Sequence, residues 1–114
     1  MFLFRICCYG VPGKDLCDPS KIKVPIQCHF GNLDSHVGFS DPSTANALEQ
    51  SLKEGNVPYE FHRYDGLGHG FFNDLPEAIA LLDSLGSKYD RDPESIDLAW
   101  SRVYAFLKQH LTDA

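Results

Sequence analysis

The sequence is first notable for what it lacks. No apolar run among its 114 residues approaches the length that spans a membrane. Positive charge is scarce, because ten lysine and arginine residues stand against sixteen aspartate and glutamate residues, for a formal net charge of -6. A chain with this balance repels phosphate backbones and anionic lipid surfaces. We therefore expect neither a membrane nor a nucleic acid as a partner.

A secretion signal and a C-x-x-C spacing are also missing. Arg5 interrupts the apolar opening MFLFRICCYG and no small-residue cleavage site follows, so this stretch is interpreted as folded structure. There are four cysteines, two of them adjacent, and their spacing matches no redox motif. Reduced thiols and a cytoplasmic location are the prediction for Cys7, Cys8, Cys17 and Cys28.

What is present is an alternation of strand-like and helix-like segments. Phe2–Tyr9 is nearly continuous in apolar residues, which is typical of a parallel strand covered on both faces. Lys23–Phe30 is predicted as a second strand, and VPYEFHRYDG as a third, more polar strand at an edge. With the helices below, this order favours an α/β fold: about three parallel strands with helices packed on the sheet.

Three helices are predicted, each with a proline near its start. The first has Asp41 as its cap and ends at Gly55, the second ends at Gly86, and the third is capped by Asp92. Apolar residues recur on one face of each, as in an amphipathic helix. These residues are Ala45, Leu48 and Leu52 in the first, Ile79, Leu82 and Leu85 in the second, and Ile96, Ala99, Trp100, Val103, Phe106, Leu107 and Leu111 in the third.

Two polar residues follow neighbouring strands. Asp34 comes after the second strand, and His69, between two glycines, comes after the third. Catalytic groups converge at the carboxyl ends of strands in such sheets, and an acid followed by a histidine matches the chain order of an α/β-hydrolase triad. Alternatively, Asp34 closes an Asx turn and His69 bonds to backbone. Asp65 is a rival acid, although it more simply shapes its own turn.

Longer stretches resemble the dienelactone hydrolase family of α/β-hydrolases. They are HFGNLD, the run LEQSLKEGNVPYEFHRYDGLGHGFFND and the closing AWSRVYAFLKQHL, with further likeness at Tyr9-Gly10 and Tyr89-Asp90. The resemblance implies the C-terminal half of that fold, with Asp34 as the triad acid and His69 as the triad histidine. It implies hydrolysis of a small-molecule ester or lactone without a metal or organic cofactor.

Two features depart from the family pattern. The resemblance implies a cysteine or serine nucleophile on a G-x-[CS]-x-G elbow, and the sequence contains no such elbow. We therefore expect residues 1–114 to be a partial domain without the elbow half, inactive alone and able to self-associate through its first strand. The alternative is a non-catalytic relative that serves as an interaction module or is an unstable fragment. Residues 75–88 also exceed the family's usual link.

The sequence disfavours metal binding by the histidines and a nucleophilic role for the adjacent cysteines. His29, His36, His62 and His69 match no metal-binding spacing, so a metal site is disfavoured, with His62 expected exposed and His29 buried with a partner. Cys7 and Cys8 are disfavoured as nucleophiles, because burial in an apolar strand raises a thiol pKa. Phe71 and Phe72 either line a pocket or pack on the last helix.

Overall fold

The computed structural model describes residues 4–13 and 15–112. The strands are β1 (Arg5–Cys8), β2 (Ile26–Gly31) and β3 (Tyr59–Tyr64), and a short 3-10 turn, Pro19–Lys21, precedes β2. The helices are α1 (Pro42–Glu54), α2 (Pro76–Ser84) and α3 (Pro93–Thr112). The strands form one parallel sheet in the order β1-β2-β3, so the predicted α/β class is confirmed.

β1 is shorter and less covered than the sequence predicted. The strand comprises Arg5–Cys8, with Arg5 exposed and the rest half-buried. Tyr9 leaves the strand with a φ of 34°, in the left-handed region. Phe2 and Leu3, at the start of the predicted strand, lie outside the described residues.

β2 is the centre of the sheet and of the core. All six of its residues are buried, and it lies between β1 and β3. Pro25 precedes the strand, so its missing N–H interrupts no pairing within the ladder. The more polar β3 lies at an edge of the described sheet, as predicted. One core cluster joins β2 to α1 and contains Ile26, Cys28, Phe30, Ala45, Leu48, Leu52 and Val57.

The helices begin where their prolines predicted. α1 places all three residues of its predicted apolar face in the core, and α3 buries Ala99, Val103 and Phe106. α3 nevertheless leaves Trp100 39% and Leu111 59% exposed. No residue of α2 is buried, so the predicted apolar face of this helix is at most partly covered by the rest of the described protein. Within residues 4–13 and 15–112, no helix has the length and apolarity needed to cross a membrane.

Candidate active site

Asp34 lies in the loop that follows β2, with its side chain held beneath the surface. The residue is 3% exposed, and its backbone N–H donates to the Gly31 carbonyl at 3.2 Å. Its Oδ1 accepts the backbone N–H of His36 at 3.0 Å and the hydroxyl of Ser40 at 2.9 Å. The contact with His36 is the Asx-type turn weighed from the sequence. These two donors fix one carboxylate oxygen and leave Oδ2 to face the neighbouring loop.

His69 lies in the loop that follows β3 and meets that second oxygen. Its Nδ1 is 2.9 Å from Oδ2 of Asp34 and 3.1 Å from Oγ of Ser40. Since the Ser40 hydroxyl donates to Asp34, a proton on Nδ1 of His69 satisfies both contacts. Among the described residues nothing bonds to Nε2 of His69, so its lone pair is available to act as a base.

Glycines and a tyrosine fix the histidine loop. Gly70 has a φ of 72°, which suits glycine and turns the chain sharply after His69. A Cβ on Gly68 would come within 2.6 Å of the Tyr89 ring, so only glycine allows this close approach. The Tyr89 hydroxyl donates to the His69 carbonyl at 3.1 Å, and the Arg91 guanidinium lies 4.8 Å from the Tyr89 ring centroid. The His69 backbone is therefore anchored from the segment before α3.

Aromatic rings surround the His69 imidazole. The ring centroid of His36 is 4.2 Å away, that of Tyr9 is 5.3 Å away and that of Phe39 is 6.1 Å away. Burial raises the pKa of Tyr9 to about 12, so its phenol stays neutral at physiological pH. The imidazole is thus packed by rings on several sides, which restricts its rotation.

Three residues of this site were not foreseen as site residues. Ser40 bridges Asp34 and His69, the His36 ring packs against the His69 ring, and Ser87 lies 3.0 Å from Nε2 of His36. Ser87 follows α2. His36 and Ser40 lie close enough in sequence to Asp34 for proximity to be suspected. Ser87 is separated from His36 by 51 residues, and no local pattern signals such a contact.

Four of the five histidines form two separate pairs. His36 joins His69, while His29 lies opposite His62 in the sheet with ring centroids 5.5 Å apart. His29 is fully buried and bonds Tyr64 and Gln27, as expected. Burial, with the nearby His62 and Arg102, lowers the pKa of His29 to about 4. The expectation for His62 was wrong, because its side chain is half-buried and bonds Glu60 at 3.1 Å.

The cysteines of β1 differ from each other in acidity. Burial raises the pKa of Cys8 to about 11, as expected for an inert thiol. The pKa of Cys7 is instead lowered, because Cys28 on β2 donates a hydrogen bond to it, and that bond together with burial raises the pKa of Cys28. Among the described residues, no cysteine sulfur bonds to His69, so neither thiol of β1 is placed as its nucleophile.

The remaining candidates have structural contacts. Asp65 accepts a hydrogen bond from the Asn32 side chain at 2.6 Å, and His69 pairs with Asp34. Phe71 is 1% exposed and belongs to the core cluster that includes Ala99 of α3. Phe72 meets Trp100 of α3 at a centroid distance of 4.7 Å, which is packing on the last helix. Both also line a cavity of about 320 Å³.

The sequence matches the model of the dienelactone hydrolase family over residues 5–111, which is nearly the whole chain. The chain belongs to the dienelactone hydrolase family. The buried acid after β2 and the glycine-flanked histidine after β3 are therefore features of a family member. Membership in this family supports a function of the hydrolase type for the chain.

A solved structure shows the same fold. A protein of Klebsiella pneumoniae subsp. pneumoniae MGH 78578, which carries the name "Putative Dienelactone Hydrolase", matches with a TM-score of 0.56 and 21% identity. The match covers 80% of this chain and 32% of that protein, so this dienelactone hydrolase family member spans about a third of the neighbour's length. At this identity the likeness concerns the fold alone. A search of the curated proteins found no significant match.

Proposed function

We propose that this chain supplies the acid and the base of a Cys/Ser-His-Asp triad that hydrolyses an ester or a lactone. The observation that carries the proposal is the 2.9 Å contact between Nδ1 of His69 and the buried Oδ2 of Asp34. A carboxylate at Nδ1 fixes the tautomer, directs the Nε2 lone pair towards the reacting groups and stabilises the imidazolium. Family membership supports the same roles.

The nucleophile would come from the part of the family fold that this chain does not span. The sequence has no G-x-[CS]-x-G elbow, and the match covers only 32% of the solved neighbour. In the complete site, Nε2 of His69 takes the proton of the nucleophile as it attacks the ester carbonyl. His69 then protonates the leaving group, and a water activated by the same nitrogen releases the acyl group as the acid.

The substrate and the setting are also part of this proposal. The substrate is a small-molecule ester or lactone, and the reaction needs no metal or organic cofactor, because nucleophile, base and acid suffice. The four cysteines are free thiols, which supports a reducing, cytoplasmic location. Residues 1–114 act as a partial domain whose active site is completed by the nucleophile-bearing half.

The test uses the protein in the form that the source cells make. The chromosomal copy is tagged, the product is purified, and its intact mass is compared with 12.8 kDa. Hydrolysis of a small activated ester and of a lactone is then measured. We expect a larger product, in which His69→Ala reduces kcat/KM by several orders of magnitude, since base and nucleophile act as a unit.

His62→Ala is the matched control, because His62 is a half-buried histidine of β3 outside the proposed triad. It should retain hydrolysis. Near-normal ester turnover in His69→Ala would refute the role of His69. A native product of 12.8 kDa without activity would instead favour a non-catalytic relative.

A further inference from the structure

The loops around His69 bring together three side chains that offer metal-ligand atoms. A ring nitrogen of His36, a ring nitrogen of His69 and a carboxylate oxygen of Asp34 all lie within 4.8 Å of one another. The three residues come from two loops, after β2 and after β3, and Asp34 is buried while both histidines are half-buried. Solvent therefore reaches the cluster from its histidine side.

The ligand set indicates which ion fits. Two imidazoles and one carboxylate, with a water in the fourth position, are a common zinc arrangement, and the metal lies about 2.0–2.2 Å from each ligand atom. Ligand atoms around a tetrahedral ion of that size are roughly 3.4 Å apart, so side-chain shifts of about an ångström close the cluster. Mg²⁺ and Ca²⁺ require six or more oxygen ligands, which these residues do not supply.

The surroundings of the cluster hold its ligands in place. Ser87 bonds Nε2 of His36 at 3.0 Å, which leaves the other ring nitrogen of His36 available. Ser40 and the His36 backbone N–H occupy Oδ1 of Asp34, so Oδ2 remains directed at His69. Outer partners of this kind orient metal ligands and raise metal affinity.

We propose that Asp34, His36 and His69 bind one Zn²⁺ ion, which replaces the proton shared between Asp34 and His69. The protein ligands of the ion are these three side chains, so binding does not require the nucleophile. Its consequence rests on the proposed function: zinc would withdraw both the acid and the base from the triad, so hydrolysis would be reversibly inhibited and a chelator would restore it. The ion thus competes with catalysis at the same site.

The binding test uses this chain and needs no enzymatic activity. ZnCl₂ is titrated into the ¹⁵N-labelled protein, and the ring signals of all five histidines are followed by NMR. We expect the signals of His36 and His69 to change together and to saturate at one equivalent. The signals of His29, His62 and His110 should stay in place, and MgCl₂ should change none of the five.

Two pairs of variants separate this site from any other zinc site. His36→Asn removes one ligand and should weaken binding at least about tenfold, since even an outer partner is worth that much. His62→Asn, its matched control, should bind as tightly as the wild type. Ser87→Ala should weaken binding about tenfold. Ser84→Ala, a change at an exposed serine of α2, should not.

Two outcomes would overturn the zinc site. One is zinc binding with unmoved His36 and His69 signals, as expected if the cysteines hold the ion. The other is unchanged affinity in both His36→Asn and Ser87→Ala while circular dichroism shows both variants folded. Failure of the triad would look different, because zinc would still shift both imidazole signals although His69→Ala left hydrolysis intact.

Discussion

Ser40 shows how a single buried hydroxyl organises the proposed acid and base. The residue is 0% exposed, and its Oγ donates to Asp34 while lying 3.1 Å from Nδ1 of His69. Without this hydroxyl, Oδ1 of the buried carboxylate keeps only the His36 backbone N–H. A hydrogen bond to a charged group contributes more than one between neutral groups. Loss of the Ser40 hydroxyl should therefore lower the stability of the fold and also disturb the orientation of the Asp34 carboxylate.

Ser40→Ala should therefore lower the free energy of unfolding by about 1–3 kcal/mol, because the buried carboxylate loses a donor. The Nδ1 proton signal of His69 should also shift or broaden as the ring loses one of its two contacts. Urea denaturation and NMR measure the two effects. Ser35→Ala changes an exposed serine of the same loop and should stay within about 0.5 kcal/mol. Equal stability of the two variants would show that Ser40 is dispensable.

His29 is a second residue whose environment has a measurable consequence. Burial, with His62 and Arg102 nearby, lowers the pKa of His29 from 6.5 to about 4 in the folded chain. Between these values the unfolded chain binds a proton that the folded chain does not. Stability is therefore fully present above about pH 6.5 and falls as the pH is lowered towards 4.

Between about pH 7.5 and about pH 5, His29 alone should account for a loss of roughly 2 kcal/mol in the free energy of unfolding. Urea denaturation of the wild type and of His29→Gln at the two pH values measures this loss. The variant should lose less stability than the wild type by about that amount, whatever its stability at the higher pH. His62→Gln should keep most of the wild-type pH dependence, because burial, the largest cause of the lowered His29 pKa, remains. An equal change in slope in both variants would contradict the assignment to His29.

At the scale of elements, the site depends on how closely the β2 end approaches the His69 loop. A Cβ on Gly31, the last residue of β2, would lie 2.2 Å from the Leu67 carbonyl oxygen. That same oxygen accepts the Leu33 N–H at 2.9 Å, so it cannot move away without loss of a loop contact. Gly31 thus permits the two loops to meet.

Gly31→Ala should force these loops apart, at a cost of about 1–3 kcal/mol for overpacking. The contact between Asp34 and His69 should loosen with them, which NMR detects as a change in the His69 ring signals. Gly66→Ala is the control, since its added Cβ would meet nothing within 4 Å. Its stability should change by no more than about 1 kcal/mol. If both variants unfold at the same urea concentration, the close approach between Gly31 and the Leu67 carbonyl does not determine the stability of the fold.

The element level is also where sequence reasoning succeeded and failed. Local rules located the helix starts, because Pro42, Pro76 and Pro93 fix φ and need no donor at those positions. An acid and then a histidine follow neighbouring strands, and this order predicted that the loops holding Asp34 and His69 lie close together. It could not foresee Ser87 beside His36, because that contact depends on where α2 docks and no local propensity encodes it.

At the scale of the whole molecule, the two edges of the sheet differ. β3 is the more polar edge, while β1 is RICC and borders a cavity of about 410 Å³. Apolar side chains including Phe4, Ile6 and Leu48 line that cavity. Within the described residues β1 pairs only with β2.

Within the described residues, the edge of β1 away from β2 pairs with no strand, which makes it a template for pairing with another chain. The Arg5 amide donates to the carbonyl of Pro25, just before β2, and the Tyr9 amide donates to that of His29 in β2. By the alternation of a strand, the amide of Ile6 points away from β2. An apolar strand with such an edge promotes edge-to-edge association. The net charge of -6 opposes association at low ionic strength, and salt screens that repulsion.

We therefore predict that the isolated chain forms dimers or larger species, more of them as salt is added. Light scattering should report at least twice 12.8 kDa. Ile6→Pro removes the outward N–H at a position where an edge strand tolerates proline, and Ile6→Lys places a charge there. Both should shift the protein towards monomer. Leu81→Lys is the control, because Leu81 is 60% exposed and lies on α2, outside the sheet. If Leu81→Lys yields the monomer and neither Ile6 variant does, the exposed helix face and not the β1 edge drives the association.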